Sequence, residues 1–172
     1  CRWWLYPSRQ GIIITKKMTI GLFIPCYVDQ FYPGAAIATL RLLEKLGLNV
    51  VYPMNQTCCG QPMANSGFEH LTHGCNELFT KNFAEFDYIV APSGSCVLHI
   101  REHLHDENKA SEAEKIRHKT YELTSFLTDV LQVKSLPAKF PHRVGVHQSC
   151  HGQRGLHISS MTELVEPEFS KP

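Results

Sequence analysis

No Cys-x-x-Cys pair occurs anywhere in these 172 residues, although seven cysteines do. That absence removes the knuckle on which structural zinc sites are usually built. Long apolar runs are missing too: nothing approaches the roughly 20 residues that a helix needs to span a bilayer. The opening CRWWLYPSRQGIIITKK has a short apolar patch, but its lysines follow the patch and no small-residue cleavage site appears, so it does not read as a secretion signal. Charge of one sign is also scarce. Seventeen Lys and Arg stand against 16 Asp and Glu, and four of the basic residues (Arg2, Arg9, Lys16, Lys17) fall in the acid-free first 17 positions. Residues 18–172 keep the remaining 13 basic groups against all 16 acids, which leaves no basic face for nucleic acid. No low-complexity stretch or flexible linker divides the chain.

What is present is ordinary for one globular domain: 43% hydrophobic and 19% charged residues over a length that supports a single core. An odd number of cysteines without a secretion signal favours reduced thiols in the cytoplasm, used for metal or catalysis, over a disulfide framework. Met18 opens a strand-like segment, TIGLFIP, so residues 1–17 are expected to be a leader or an artefact outside the fold.

From there, short β-branched and aromatic runs alternate with helical patterns, the mark of βαβ units and a parallel sheet. Strands are expected at 19–24, 49–52, 87–91 and 143–147. Helices are expected at 35–46, 66–84, about 96–106 and 111–131, the last opening on a Ser111/Glu114 capping box. The fold class is therefore α/β, an open, mostly parallel sheet of about four strands flanked by helices in Rossmann-like units.

The doublet Cys58-Cys59, followed by Gly60, is the most telling feature. Adjacent cysteines do not readily join to each other, because disulfide geometry conflicts with an ordinary trans peptide. Both can face one group of metal ions. Cys26 follows the first expected strand and Cys96 the third, and in an open parallel sheet the carboxyl ends of the strands share one edge. Cys26, Cys58, Cys59 and Cys96 should therefore converge. Four thiolates suit an iron–sulfur cluster or a zinc ion, and the wide spacing favours iron and sulfide. Gly60 allows the backbone to turn sharply beside such a centre.

The other candidates have plainer explanations. Cys75 lies on the apolar side of an expected helix and reads as a small buried hydrophobe. Cys150 follows the fourth expected strand but lacks partners further on; His147 and His151 beside it are candidates for hydrogen bonds around a centre. His70 with His73, and His99, His103 and His105 on an expected solvated helix, read as surface histidines.

CCGQPMANSG at 58–67, APSGSC at 91–96, and the later TYELTSFL and HQSCH segments resemble the cysteine-rich CCG-domain iron–sulfur family, which includes lactate-utilization proteins, the iron–sulfur subunit of glycolate oxidase and the B subunit of heterodisulfide reductase. The resemblance covers residues 18–172. It implies an electron-transfer subunit of a complex that oxidises L-lactate, or a related 2-hydroxy acid such as glycolate, to the 2-oxo acid. It also implies a ferredoxin-type iron–sulfur partner among the other subunits. The family motif maps onto Cys26, Cys58, Cys59 and Cys96 as ligands of a cluster, of 4Fe–4S type. Where much of the family has a further cysteine, this chain has Ser93, which points to a four-thiolate site rather than a five-cysteine noncubane one. Members are two-fold pseudo-repeats. Residues 18–147 would be the first CCG unit and 148–172 the start of the second, and apolar surface left uncovered by the missing half would favour self-association. Two alternatives accompany this reading: a zinc-stabilised interaction module without redox role, and a heterodisulfide-reductase-like thiol/disulfide subunit.

Overall fold

The computed structural model describes residues 18–143, 145 and 149–157. In chain order the elements are β1 (Thr19–Leu22), α1 (Cys26–Phe31), α2 (Pro33–Lys45), β2 (Asn49–Val51), α3 (Gln61–Asn65), a 3-10 turn (Glu69–Leu71) and α4 (His73–Phe83). They continue with β3 (Tyr88–Ala91), α5 (Gly94–His103), α6 (Ala110–Lys119), β4 (Thr120–Glu122) and the single turn α7 (Leu123–Ser125). Two π-helical turns follow, at Phe126–Val130 and His151–Gly155. No helix among the described residues is long and apolar enough to cross a membrane.

All four strands run parallel in the order β2-β1-β3-β4, as the α/β reading expects. Ile20 pairs with Val50 on one side and with Tyr88 on the other, so the chain winds outward from β1 in both directions. The crevice beyond the carboxyl ends of β1 and β3 is the topological switch point, where open α/β sheets bind their ligands.

Alternation along the strands divides the core in two. Ile20, Leu22 and Val90 face a layer with Leu43 of α2 and with Phe126 and Leu127. Ile89 and Ala91 face Phe79 and Phe83 of α4, Val97 and Ile100 of α5, and Ile116 of α6. Phe23, Phe79 and Phe83 make an aromatic knot in that second layer, with ring centroids 4.5–5.9 Å apart. Burying each such ring is worth about 2–3 kcal/mol. Gly21 is required there, since a Cβ would stand 2.6 Å from Phe86 and 2.9 Å from Phe83.

Several expectations need correction. The helix placed at 111–131 is instead α6, β4 and a π-turn. Thr120, Tyr121 and Glu122 leave the helix to pair with Ile89, Val90 and Ala91, which satisfies the outer backbone groups of β3. The capping box does not form either: Lys109 is the N-cap, and Asp106 Oδ1 instead accepts the amides of Asn108 and Lys109. The helix at 66–84 begins only at His73, and of the apolar side expected from Leu71, Cys75, Leu78 and Phe79 only Phe79 is buried, on a face it shares with Asn76, Thr80 and Phe83. The strand expected at 143–147 falls largely outside the described residues.

Candidate functional site

The expected convergence is built by three strand ends and one glutamine. Cys26 is the first residue of α1, four positions after β1 ends, with extended Pro25 as N-cap. The loop after β2 is carried back to β1 by Gln56, whose Oε1 accepts the Ile24 amide at 2.9 Å while its Nε2 donates to Leu22 O at 2.8 Å. One side chain thus continues the β1–β2 pairing beyond the end of β2 and delivers Cys58 and Cys59 beside Cys26. Asn82 of α4 holds the same loop by donating to Asn55 O at 3.2 Å. Cys96 comes from the first turn of α5, which starts after Ser93 in an extended conformation.

The four thiols form a chain of contacts. Cys26 Sγ lies 3.6 Å from Cys58 Sγ, Cys58 Sγ accepts the Gly60 amide at 3.4 Å, and Cys59 interacts electrostatically with both Cys58 and Cys96. Cys26 is exposed and Cys58 half-buried, whereas Cys59 and Cys96 are buried in the α4–α5–α6 layer beside Phe23 and Phe79. The site is therefore open at Cys26 and closed at Cys96. Among the described residues no set of three or more His, Cys, Asp or Glu is gathered tightly enough to hold a single metal ion. The thiols are linked pairwise rather than ringed about a point.

Their electrostatics follow from who donates. The Cys59 thiol, then the Gly60 amide and the Cys26 thiol, bring Cys58 down to about 5 against the opposing effect of burial. Cys96 falls to about 7 through Cys59, with the Ser93 and Ser95 side chains adding to it. Cys59, sitting between two sulfur acceptors in a buried position, is held strongly in the neutral form. Cys26, though an exposed residue, is pushed up by partial desolvation of its sulfur and by its hydrogen bond to Cys58. The arrangement biases Cys58, and Cys96 to a lesser degree, toward the thiolate and favours the protonated form at Cys26 and Cys59, whose protons a bound cation would displace.

Gly60 does what the sequence suggests. Its φ of 88° is left-handed, it caps α3, and its carbonyl accepts the Met63 and Ala64 amides. A Cβ there would meet Thr72 Cγ2 at 3.1 Å and His99 Nε2 at 3.5 Å.

Among the remaining candidates, Cys75 is half-buried on α4 and pushed up by burial and by the charge on Cys58, while Thr57 bonds to it. Cys150 is exposed at the start of the last π-turn, and His151 is exposed beside it. That turn rests on α5: Gly155 abuts Leu98, and a Cβ on Gly94 would stand 3.8 Å from Gly152 Cα. His147 lies outside the described residues. His70, His73, His103 and His105 are exposed, as expected of surface histidines. His99 is not; it is 6% exposed, its ring stacked on His103 at 5.0 Å, and His103 Nδ1 lies 3.1 Å from Glu69 Oε1. Sequence reasoning missed His99 and Gln56. His99 follows Cys96 by three residues on one helix, a spacing that shares a face. For Gln56 no sequence signal exists.

The model of the cysteine-rich CCG domain matches residues 20–101. Lactate utilization protein A of Geobacillus thermodenitrificans (strain NG80-2) is 42% identical over 143 residues, covering 81% of this chain and 60% of its own length. The protein of the same name from Bacillus subtilis (strain 168) is 40% identical over 145 residues, covering 82% and 61%. Lactate utilization protein A 2 of Bacillus mycoides (strain KBAB4) is 37% identical over 164 residues, covering 88% and 69%. The chain spans about 60% of the length of the first of these curated relatives. No solved structure matches it. On the doublet motif, the parallel sheet that presents it and these similarities, the chain belongs to the cysteine-rich CCG family that includes the lactate utilization A proteins.

Proposed function

We propose that this chain is part of an iron–sulfur electron-transfer subunit of a complex that oxidises L-lactate, or a related 2-hydroxy acid such as glycolate, and that Cys26, Cys58, Cys59 and Cys96 are the ligands of its cluster. The observation that carries the reading is the meeting of four thiols, from three separate strand ends, at the switch point of the sheet. The residues fit such a group. Cys58 and Cys96 already lean to the thiolate, and the left-handed Gly60 turns its amide onto Cys58 Sγ at 3.4 Å. When bound, the cluster would accept and donate single electrons.

This chain's own residues set the surroundings of that exchange. Ser93 and Ser95 would hydrogen-bond the Cys96 sulfur, a lever that raises reduction potential. Phe23 and Phe79 exclude water from the inner side, where Cys59 and Cys96 are buried. The exposed Cys26 edge supports approach by a partner, and beside it Tyr27, Phe31 and Tyr32 form an exposed ring cluster with centroids 4.9 and 5.8 Å apart. A ferredoxin-type iron–sulfur protein and the remaining subunits of the complex are the partners proposed. Residues 18–147 would be the first of two CCG units, with 148–172 beginning the second.

Anaerobic reconstitution with iron and sulfide tests this. The expected result is bound iron and sulfide with an electron paramagnetic resonance signal on reduction. Stoichiometric zinc in anaerobically purified protein that takes up no iron would replace the reading with a structural zinc site.

A further inference from the structure

The cluster reading uses all four thiols alike, yet the structure does not present them alike. Cys26 is exposed and Cys58 half-buried with their sulfurs 3.6 Å apart, while Cys59 and Cys96 are buried. A disulfide has an S–S distance of about 2.05 Å, so the outer pair needs to close by about 1.5 Å, within reach of side-chain rotation. The neighbouring alternative is poor, since Cys58 and Cys59 are adjacent and the peptide between them is trans.

We propose that Cys26 and Cys58 are a redox-active dithiol, which a low-molecular-weight disulfide such as glutathione disulfide converts reversibly to a disulfide in the metal-free protein. The exposed Cys26 sulfur attacks first. A Cys26–S–S–R bond forms, the S–S bond of the reagent breaks, and one RSH leaves carrying the Cys26 proton. The Cys58 sulfur, already in contact, then attacks Cys26 Sγ. Cys58 attacks as the thiolate, so the Cys26–Cys58 bond forms and the second reagent sulfur leaves as RS⁻, which takes its proton from water. Two protein thiols are oxidised and one reagent disulfide is reduced to two thiols. Excess RSH reverses both steps by the same exchange chemistry.

The consequence is a gate on loading. The disulfide withdraws two of the four thiols and ties the end of β1 to the doublet loop, so bound metal and disulfide exclude one another. It also shelters the exposed sulfurs from the irreversible sulfinic and sulfonic stages of oxidation. The reaction needs only the two thiols, so its outcome is read independently of whether iron binds.

The experiment incubates the full chain, treated with a chelator, with glutathione disulfide under nitrogen and maps the linkages by mass spectrometry of peptides. The expected product has lost two hydrogens, links Cys26 to Cys58, and returns to the thiol form with excess glutathione. In Cys58→Ser the resolving thiol is gone, and a stable glutathione adduct should accumulate on Cys26. Two results overturn the proposal: a linkage joining any other pair, such as Cys59 to Cys96 or Cys58 to Cys75, or a persistent adduct on Cys26 in the unsubstituted chain.

Discussion

Gly60 and Thr72 stand so close that a single added methyl on the glycine would lie 3.1 Å from Thr72 Cγ2. Thr72 is buried and fixed in turn, since its hydroxyl donates to Glu69 O at 2.7 Å. Gly60→Ala therefore meets two obstacles, the left-handed φ of 88° and a neighbour that cannot easily give way. The substitution should cost about 2 kcal/mol. In urea unfolding of the metal-free chain this lowers the midpoint by about 1 M. A midpoint within error of the unsubstituted chain would mean that the doublet turn is not held as described.

The proton pattern of the thiols has a direct chemical readout, because only the thiolate is alkylated. Cys58, brought down to about 5, is largely ionised at neutral pH. Its alkylation rate in the metal-free protein should be nearly flat above about pH 6. Cys26 and Cys75 are both pushed above the ordinary cysteine value, so their rates should keep climbing about tenfold per pH unit through pH 8. Peptide-resolved iodoacetamide kinetics separate the two behaviours, and a Cys58 rate that climbs in step with Cys26 would contradict the assignment.

Much of this site was legible in the sequence, for a definite reason. Each of Cys26, Cys58 and Cys96 follows a strand-forming run by a few residues, and a parallel sheet turns that shared phase into a shared edge. The features that escaped depend on side chains choosing among equal local options. Gln56 reads as a loop residue until its amide is seen replacing strand backbone against Leu22 and Ile24. The three-residue strand Thr120–Glu122 hides inside a helical pattern, because its reason to exist is the open side of β3 rather than anything nearby in the chain. His99 sits among charged neighbours, and only its approach to Gly60 and its burial show that this face of α5 turns inward.

His99 should make stability depend on pH. Burial is the main cause that lowers its pKa, with protonation of the stacked His103 adding to the effect and the carboxylates of Glu69 and Glu102 opposing it. The unfolded chain, near 6.5, then binds a proton that the folded chain refuses. Stability is thus fully present above the unfolded value and is lost as pH falls from about 6.5 toward the lower folded value. His99→Gln removes this contribution. Its urea midpoint should fall less between pH 7.5 and pH 5 than that of the unsubstituted chain, and equal falls would show that His99 is not held neutral in the fold.

Cys75 and Cys96 provide the sharpest test of which thiols hold iron, because both border Cys58 or Cys59 but only one stands at the sheet edge. Cys96 is buried in the first turn of α5, after β3, and interacts with Cys59 of the doublet. Cys75 belongs to α4, bonds with Thr57, and interacts with Cys58 through charge alone. Both substitutions to Ala remove a single sulfur from a buried or half-buried place, so each should cost no more than about 1–2 kcal/mol and leave a folded chain, checked by far-UV circular dichroism. After reconstitution, Cys75→Ala should retain the iron and sulfide content of the unsubstituted chain. Cys96→Ala should lose most of both, together with the paramagnetic signal. Equal losses in the two variants would move Cys75 into the ligand set, and equal retention would remove Cys96 from it.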